Sequence, residues 1–306
     1  MRLKPGRPDI TRYADRFDVP PAREEFGVTF LGVSSLLFED GVSAVLTDGF
    51  FSRPSLVTVS LRKVGPDATR IDTALALAGI DQLDAVTPVH THYDHAMDSA
   101  VVAQRTGAVL AGGESAANVG RGHGLPSHQI KVVTPGEPLT FGGFRLTWLE
   151  SDHCPPDRFP GHIPAPVVPP VRVKAYRCGE AWSILAEHAT GRTALIQGSA
   201  GFVPGSLTGW RADVAYLGVG QLGLQSEDYM RTYWAETVGT VGARRVVLIH
   251  WDDFFRPLER PLRALPFAGD DLDATMRVLA ELADRQGVAL HFPTVWRRED
   301  PWDSLV

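Results

Sequence analysis

Three histidines and one aspartate lie within six residues, between His90 and His95. An extended segment points alternate side chains to the same side, so His90 and His92 can bind one ion. The turn at Asp94 and His95 offers two further ligands to a second ion. The run follows the apolar residues 83–89, at the end of a predicted strand, where sites are commonly built. The pattern therefore favours a metal site over a solvated, histidine-rich turn.

Two more histidines follow apolar segments that are typical of strands. His153 comes shortly after residues 144–149, and His250 comes directly after residues 246–249. Imidazoles at strand ends are good ligand candidates, since several strand ends can meet at one edge of a fold. Both histidines are therefore predicted to join the metal site.

This set of motifs, His-x-His-x-Asp-His followed by single histidines at two later strand ends, resembles the metallo-β-lactamase superfamily over about residues 25–306. The resemblance implies an α/β fold, a four-layer αββα sandwich with two mixed β-sheets face to face and helices outside. It also implies a binuclear zinc site with a water or hydroxide between the ions, and a catalytic role for Asp94 in orienting or accepting a proton. The implied ligands are His90, His92 and His153 for one zinc, and Asp94, His95 and His250 for the other.

The order of predicted elements agrees with two sheets packed face to face in one domain. Residues 1–24 are predicted to form an N-terminal arm, and residues 25–306 the hydrolase domain. Strands are predicted at 28–32, 35–38, 43–47, 85–89, 109–111, 130–134, 144–149, 173–178, 182–187, 194–197 and 214–217. Helices are predicted at 10–17, 75–79, 99–106, 226–238 and 272–286.

The sequence departs from many hydrolases of this superfamily at Ser199, where those enzymes carry an aspartate that bridges the metals. Losing a bridging carboxylate lowers affinity for the second ion, so one or two zinc ions are predicted, with iron or manganese left open. The third subclass of true metallo-β-lactamases is similar in lacking this aspartate. Ser199 is expected to hold a water network or to be a weak ligand. A nucleophilic role is not favoured, because the nucleophile elbow needs glycine where Gln197 stands.

Other residues are predicted around the metals. Asp48, at the end of a predicted strand, is expected to support a ligand through a hydrogen bond or to shape its turn. Asp252 and Asp253 are reserve ligands for the missing carboxylate, or cap a turn. Residues 155–170 contain seven prolines and are predicted to form a loop that walls the site. The predicted substrate pocket comprises Phe50, Phe51, Arg158, Phe159, His162 and Trp251.

The composition limits the classes of partner that are expected. A net charge of −6 and scattered basic residues argue against nucleic-acid binding. No apolar run reaches the length of a membrane span, and the first residues do not resemble a signal peptide. With only Cys154 and Cys178, the chain is expected to be cytoplasmic. A small-molecule substrate is expected, and a homo-oligomer is left open.

The predicted function is metal-dependent hydrolysis of an ester, lactone or similar small carbonyl compound by a zinc-bound hydroxide. A weaker resemblance, to the branch with phosphorylated-ascorbate lactonase and N-acyl phosphatidylethanolamine phospholipase D, makes a phosphodiesterase the alternative, followed by a β-lactamase. An iron-dependent oxidoreductase on the same scaffold is the competing class. A non-catalytic binding protein would be expected to lack some of the six ligands. Residues 218–223 match the dinucleotide fingerprint, but no acidic residue follows at the spacing that ribose binding needs.

Overall fold

The computed structural model describes residues 4–305. The strands are β1 (Gly27–Phe30), β2 (Leu36–Glu39), β3 (Ala44–Thr47), β4 (Ala85–Thr87), β5 (Val109–Gly112), β6 (Ile130–Val132), β7 (Leu139–Phe141), β8 (Phe144–Ser151), β9 (Ala181–His188), β10 (Thr193–Gln197), β11 (Val214–Gly218), β12 (Arg245–Ile249), β13 (Ala289–His291) and β14 (Arg298–Glu299). The α-helices are α1 (Leu56–Leu61), α2 (Ala68–Leu77), α3 (Tyr93–Ala96), α4 (Ser99–Thr106), α5 (Glu114–Gly122), α6 (Glu227–Trp234) and α7 (Leu272–Gln286). A π-helical turn, Ala235–Gly239, continues α6.

The strands form two seven-stranded sheets with matching plans. The first has the order β14-β1-β2-β3-β4-β5-β6, and the second has the order β13-β12-β11-β10-β9-β8-β7. In each sheet three neighbouring pairs are parallel and three are antiparallel. Antiparallel strands need only short connections, whereas the parallel pairs require crossovers, which supply most of the helices.

Apolar side chains form three buried layers. One layer lies between the sheets, where Phe38 of β2 packs edge to face on Tyr216 of β11 with ring centroids 5.7 Å apart. A second layer joins the first sheet to α2, α4 and α5, and a third joins the second sheet to α6 and α7. The predicted αββα sandwich of two mixed sheets is therefore confirmed.

Two buried hydrogen bonds connect the sheets near the carboxyl ends of their central strands. The Trp148 indole on β8 donates to the Thr87 hydroxyl at the end of β4, with an N–O distance of 2.9 Å. The Ser34 hydroxyl donates to the Gly198 carbonyl just after β10, also at 2.9 Å. Because buried polar groups are costly to leave unpaired, these bonds fix how the two sheets lie against each other.

Most of the predicted helices and strands are present. Where their bounds differ from the prediction, the local sequence did not determine where the element begins or ends. Helix α7 begins after the cap Asp271 and ends at Gly287, which has a left-handed φ of 66°. Helix α2 begins well before the predicted residue 75, because the Asp67 side chain accepts a hydrogen bond from the Arg70 amide. The predicted strand 173–178 is wrong, since residues Val173–Ala175 form a 3₁₀ turn.

Within the described part of the proposed arm, the chain packs on the main body. Phe17 stacks on Phe292 with ring centroids 5.2 Å apart, and the Tyr13 hydroxyl donates to Asp273 of α7. Residues 1–3 of the arm and residue 306 lie outside the described residues. Among residues 4–305, no helix is both long enough and apolar enough to cross a bilayer.

Candidate metal centre

The histidines meet because the strands that carry them end at one edge of the sandwich. Strand β8 is antiparallel to β9, which is antiparallel to β10, so β8 runs in the same direction as β10, β11 and β12. His153 follows β8 and His250 follows β12 at this edge. In the facing sheet, β3 and β4 are parallel and lead to Asp48 and His90.

The first donor group consists of His90, His92 and His153, whose ring nitrogens lie within 4.8 Å of one another. His90 Nε2 is 3.1 Å from His92 Nδ1. His153 Nδ1 is 2.7 Å from the Cys154 carbonyl oxygen, which can only accept, so Nδ1 carries the proton. The Nε2 atom of His153 is therefore free to act as a ligand.

The second donor group consists of Asp94, His95 and His250. Asp94 Oδ2 lies 3.6 Å from His250 Nε2 and 3.7 Å from His95 Nε2. The rings of His90 and His95 have centroids 3.9 Å apart, so the two groups adjoin. The structure thus brings together the six predicted ligands in the two predicted sets.

Asp48 holds His95 from behind. Its Oδ2 is 2.7 Å from His95 Nδ1, and its Oδ1 accepts a hydrogen bond from the Val89 amide at 2.9 Å. Asp48 is fully buried and has a left-handed φ of 53°. A carboxylate in this position fixes the tautomer and orientation of an imidazole, which leaves Nε2 facing Asp94.

Burial keeps the imidazoles of the first group neutral. Burial, together with neighbouring His95 and His92, lowers the pKa of His90 well below its ordinary value. Burial and His92 lower the pKa of His153 to about 4. Burial raises the pKa of Asp94, but His95 and His250 outweigh it and hold that pKa below its usual range. Neutral imidazoles and an ionised carboxylate are the forms that bind metal ions.

The donor set fits the metal that the resemblance implies. His95 Nε2 is buried without a hydrogen-bond partner, and such an atom is costly unless something binds it. Five imidazoles and one carboxylate suit zinc, and imidazole also suits iron. The residues therefore fit one or two such ions at this edge.

His250 occupies a demanding backbone position. Its φ is 57°, and its amide donates to the Val33 carbonyl at 2.6 Å. A Cβ on Gly220 would lie 2.7 Å from His250 Nδ1, so only glycine leaves room for the ring. The middle glycine of the dinucleotide-like run thus has a packing role beside the predicted ligand.

Ser199 lies next to the first group but belongs to neither. Its Oγ accepts a hydrogen bond from the Cys154 amide at 3.0 Å, so it holds the peptide that follows His153. The buried Gln197 side chain stabilises this corner by donating to the Ser151 hydroxyl and the Gly201 carbonyl.

The two reserve carboxylates are engaged elsewhere, so the structure does not bring them to the histidine groups. Asp252 forms a fully buried ion pair with Arg53 and accepts a hydrogen bond from the Val33 amide. Asp253 pairs with Arg7 and Arg263. Neither joins the histidine groups.

A cavity of about 620 Å³ opens beside His153. Its lining includes Pro155, Asp157, Gly161 and His162, so the proline-rich segment does wall this space. The remaining lining residues come from strand ends, the 202–204 segment and α6: Ser151, Asp152, His153, Cys178, Gly179, Ala181, Phe202, Pro204 and Tyr229.

Of the predicted pocket residues, only His162 lines this cavity. Phe159 packs edge-on against His92, with centroids 6.3 Å apart, and Arg158 is exposed. The expectation does not fit the structure for three aromatic residues that are buried in cores: Phe50, Phe51 and Trp251. Their apolar character serves packing, which the sequence pattern does not distinguish from ligand contact.

Sequence reasoning missed three residues of the site. Asp157 lies four positions after His153, a spacing that could have drawn attention to it. Phe202 and Tyr229 line the cavity with their rings 5.5 Å apart, but nothing in the local sequence separates them from core residues.

No protein-family model matches the chain, and no curated protein matches it by sequence. Among solved structures, a metal-dependent hydrolase from Parabacteroides distasonis matches with a TM-score of 0.53 and 12% identity, over 91% of this chain and 99% of that one. CmlA, a diiron β-hydroxylase from Streptomyces venezuelae, matches with a TM-score of 0.55 and 13% identity, over 89% of this chain and 54% of that one. The metallo-β-lactamase fold protein YhfI from Bacillus subtilis matches with a TM-score of 0.48 and 16% identity, over 89% and 98%. Together with the two mixed sheets and their outer helices, the first two likenesses show the fold alone: this chain shares the αββα sandwich of those two proteins, which is the architecture that the metallo-β-lactamase resemblance predicts.

Proposed function

We propose that this protein is a metal-dependent hydrolase that cleaves an ester, lactone or similar small carbonyl compound. The observation that supports it is the pair of adjoining donor groups, His90, His92 and His153 beside Asp94, His95 and His250, at the edge of an open cavity. When bound, zinc supplies Lewis acidity and lowers the pKa of coordinated water toward about 7.

The protein residues supply orientation. Asp94 stays ionised beside His95 and His250, and a carboxylate with so low a pKa suits accepting a hydrogen bond better than taking a proton. His153 is fixed by its bond to the Cys154 carbonyl, and Ser199 fixes the Cys154 peptide. These contacts hold the donors in place before any ion arrives.

The cavity favours a carbonyl substrate over a phosphodiester. Its volume of about 620 Å³ is in the range for small-molecule ligands. Its lining contains Asp152 and Asp157 but no lysine or arginine among residues 4–305. Phosphate oxygens are usually bound by such cations, so an uncharged or cationic group fits this wall better. β-Lactam hydrolysis ranks third.

A second candidate is iron-dependent oxidation, which the likeness to a diiron hydroxylase favours. Only one carboxylate, Asp94, belongs to the two groups, whereas carboxylate-bridged diiron sites use several. The nitrogen-rich set therefore supports zinc and hydrolysis.

The test is a substrate screen with metal analysis. Purified protein is loaded with zinc or iron and assayed on matched esters, lactones, phosphodiesters and β-lactams. We expect zinc-dependent cleavage of a carbonyl substrate, reduced more than about 100-fold in His92→Ala, since even outer-shell changes cost 10–100-fold. His128→Ala, at an exposed histidine away from the groups, is the matched control. Turnover only with iron and a reductant, or equal activity in His92→Ala, would contradict the proposal.

A further inference from the structure

His92 has one ring nitrogen inside the first donor group and one outside it. Nδ1 faces His90 Nε2 at 3.1 Å. Nε2 is buried and lies 3.2 Å from Asp157 Oδ1, and the Phe159 backbone offers a second acceptor near the ring. The ring can therefore serve a metal through Nδ1 only if Nε2 carries the proton, and a proton buried there needs an acceptor.

We propose that Asp157 is a positioning residue for His92: its carboxylate accepts a hydrogen bond from Nε2–H and so fixes Nδ1 as the nitrogen that binds metal. The inference rests on the proposed metal centre and adds a residue that connects the proline-rich loop to it. Carboxylates that accept from a ligating histidine raise ligand basicity and fix ring orientation.

The position of Asp157 relative to His92 is set by the backbone. Thr91, next to His92, donates its amide to the Cys178 carbonyl at 2.7 Å. The Cys178 amide in turn donates to the Phe159 carbonyl at 2.8 Å. Asp157 Oδ1 accepts from the Phe159 amide at 2.9 Å, which closes a tight turn. A continuous chain of hydrogen bonds thus runs from the loop to the predicted ligand, which a chance approach of a surface carboxylate would not have.

The surroundings of His92 and Asp157 strengthen the contact between them. The His92 side chain is 8% exposed and that of Asp157 is 23% exposed. The Phe159 ring covers His92 edge-on. Interactions between charged and polar groups are stronger where water is excluded, so this contact is expected to have a larger effect than one on an open surface.

A competing interpretation is that Asp157 is itself a metal ligand. Donor atoms of His92, Asp157 and Cys178 lie within 4.8 Å of one another and could hold a separate ion. This alternative predicts that removing the Cys178 sulfur weakens binding as much as removing the carboxylate.

The test measures zinc affinity of the full chain by competition with a chromophoric chelator. Asp157→Asn keeps an acceptor for the Phe159 amide while removing the charge, and Asp157→Ala removes both. We expect zinc to bind about 10- to 100-fold more weakly in Asp157→Ala, with a smaller loss in Asp157→Asn. Asp152→Asn is the matched control, because it removes the same charge from the same cavity wall and, within residues 4–305, Asp152 forms no ion pair with a histidine.

A second readout separates positioning from general damage. The visible spectrum of bound Co²⁺ reports ligand geometry, and we expect it to change in Asp157→Ala while the melting temperature of the metal-free protein changes little. Wild-type affinity in both Asp157 variants would overturn the inference, as would an equal loss in Cys178→Ala. Failure of the unaltered protein to bind zinc would instead overturn the metal centre itself.

Discussion

Replacing Asp252 separates a stability role from a metal role. The side chains of Asp252 and Arg53 are both fully buried and form an ion pair. Arg53 also donates to the Arg256 carbonyl at 2.7 Å, and Asp252 Oδ1 accepts from the Val33 amide at 2.8 Å. Removing one partner of a buried pair leaves an uncompensated charge, so we expect Asp252→Asn to lower the free energy of unfolding by about 3–5 kcal/mol.

The Asp252→Ala variant should lower the free energy of unfolding further than Asp252→Asn does. It also leaves the Val33 amide without its acceptor, which adds about 1–3 kcal/mol for an unpaired buried donor. A double variant, Arg53→Met with Asp252→Asn, removes both charges while keeping an acceptor for the Val33 amide, and it should recover part of the loss, because removing both members of a buried pair is usually less costly than removing one. The coupling between the two positions follows from the double-mutant cycle.

The assay is urea unfolding in excess chelator, with zinc stoichiometry measured separately on folded protein. A fall in midpoint with an unchanged m-value indicates a change in stability alone. We expect Asp252→Asn to retain the zinc content of the unaltered protein, since Asp252 lies outside both donor groups. Unchanged stability together with the loss of an ion would refute this reasoning and restore Asp252 as a ligand.

Three further substitutions test the surroundings of the metals. Ser199→Asp should raise zinc stoichiometry by adding a carboxylate beside the first group, and unchanged metal content by elemental analysis would argue against the role given to this position. Asp48→Asn should weaken zinc binding about 10- to 100-fold in chelator competition, whereas unaltered affinity would leave Asp48 only a turn residue. Gly220→Ala should weaken binding at the second group, because its methyl would lie 2.7 Å from His250 Nδ1. Gly239→Ala, whose methyl would meet no atom closer than 3.8 Å, is the matched control, and equal binding in both variants would contradict the packing argument.

Much of the fold could be predicted because local signals agree with it. Residues 99–106 and 272–286 form the predicted helices, each ending at a glycine with a left-handed φ. The strand predicted at residues 173–178 is absent, although the alternation of apolar and polar residues there resembles a strand. They follow the proline-rich loop and pair with Thr91 and Phe159 through backbone groups of Cys178, rather than with a neighbouring strand. Tertiary hydrogen bonding of this kind leaves no periodic trace in the sequence.

The candidate site likewise has a part that the sequence predicts and a part that depends on the fold. The six donors were recognisable because short spacing and strand ends mark them individually. Their supporting contacts were predictable only in part, since a contact depends on the fold: Asp48 was expected to support a ligand or shape its turn, but its partner His95 lies 47 positions away, and Asp157 was not predicted. The prediction of pocket aromatics did not fit for a different reason. Phe50 and Trp251 are aromatic residues close to the motifs, but packing in the core explains them as well as substrate contact does.

The partners of the imidazoles bear on whether a second ion binds. His95 has Asp48 behind it, His92 has Asp157, and His153 has only the Cys154 carbonyl. With no carboxylate bridging the groups, Asp94 is the one anionic donor within them. Positive charge added by a second ion must then be offset from the outer side of the rings, where each carboxylate acts through the imidazole it holds. If two ions bind as proposed, Asp48 and Asp157 would each supply negative charge behind a ligating imidazole, where Ser199 supplies none.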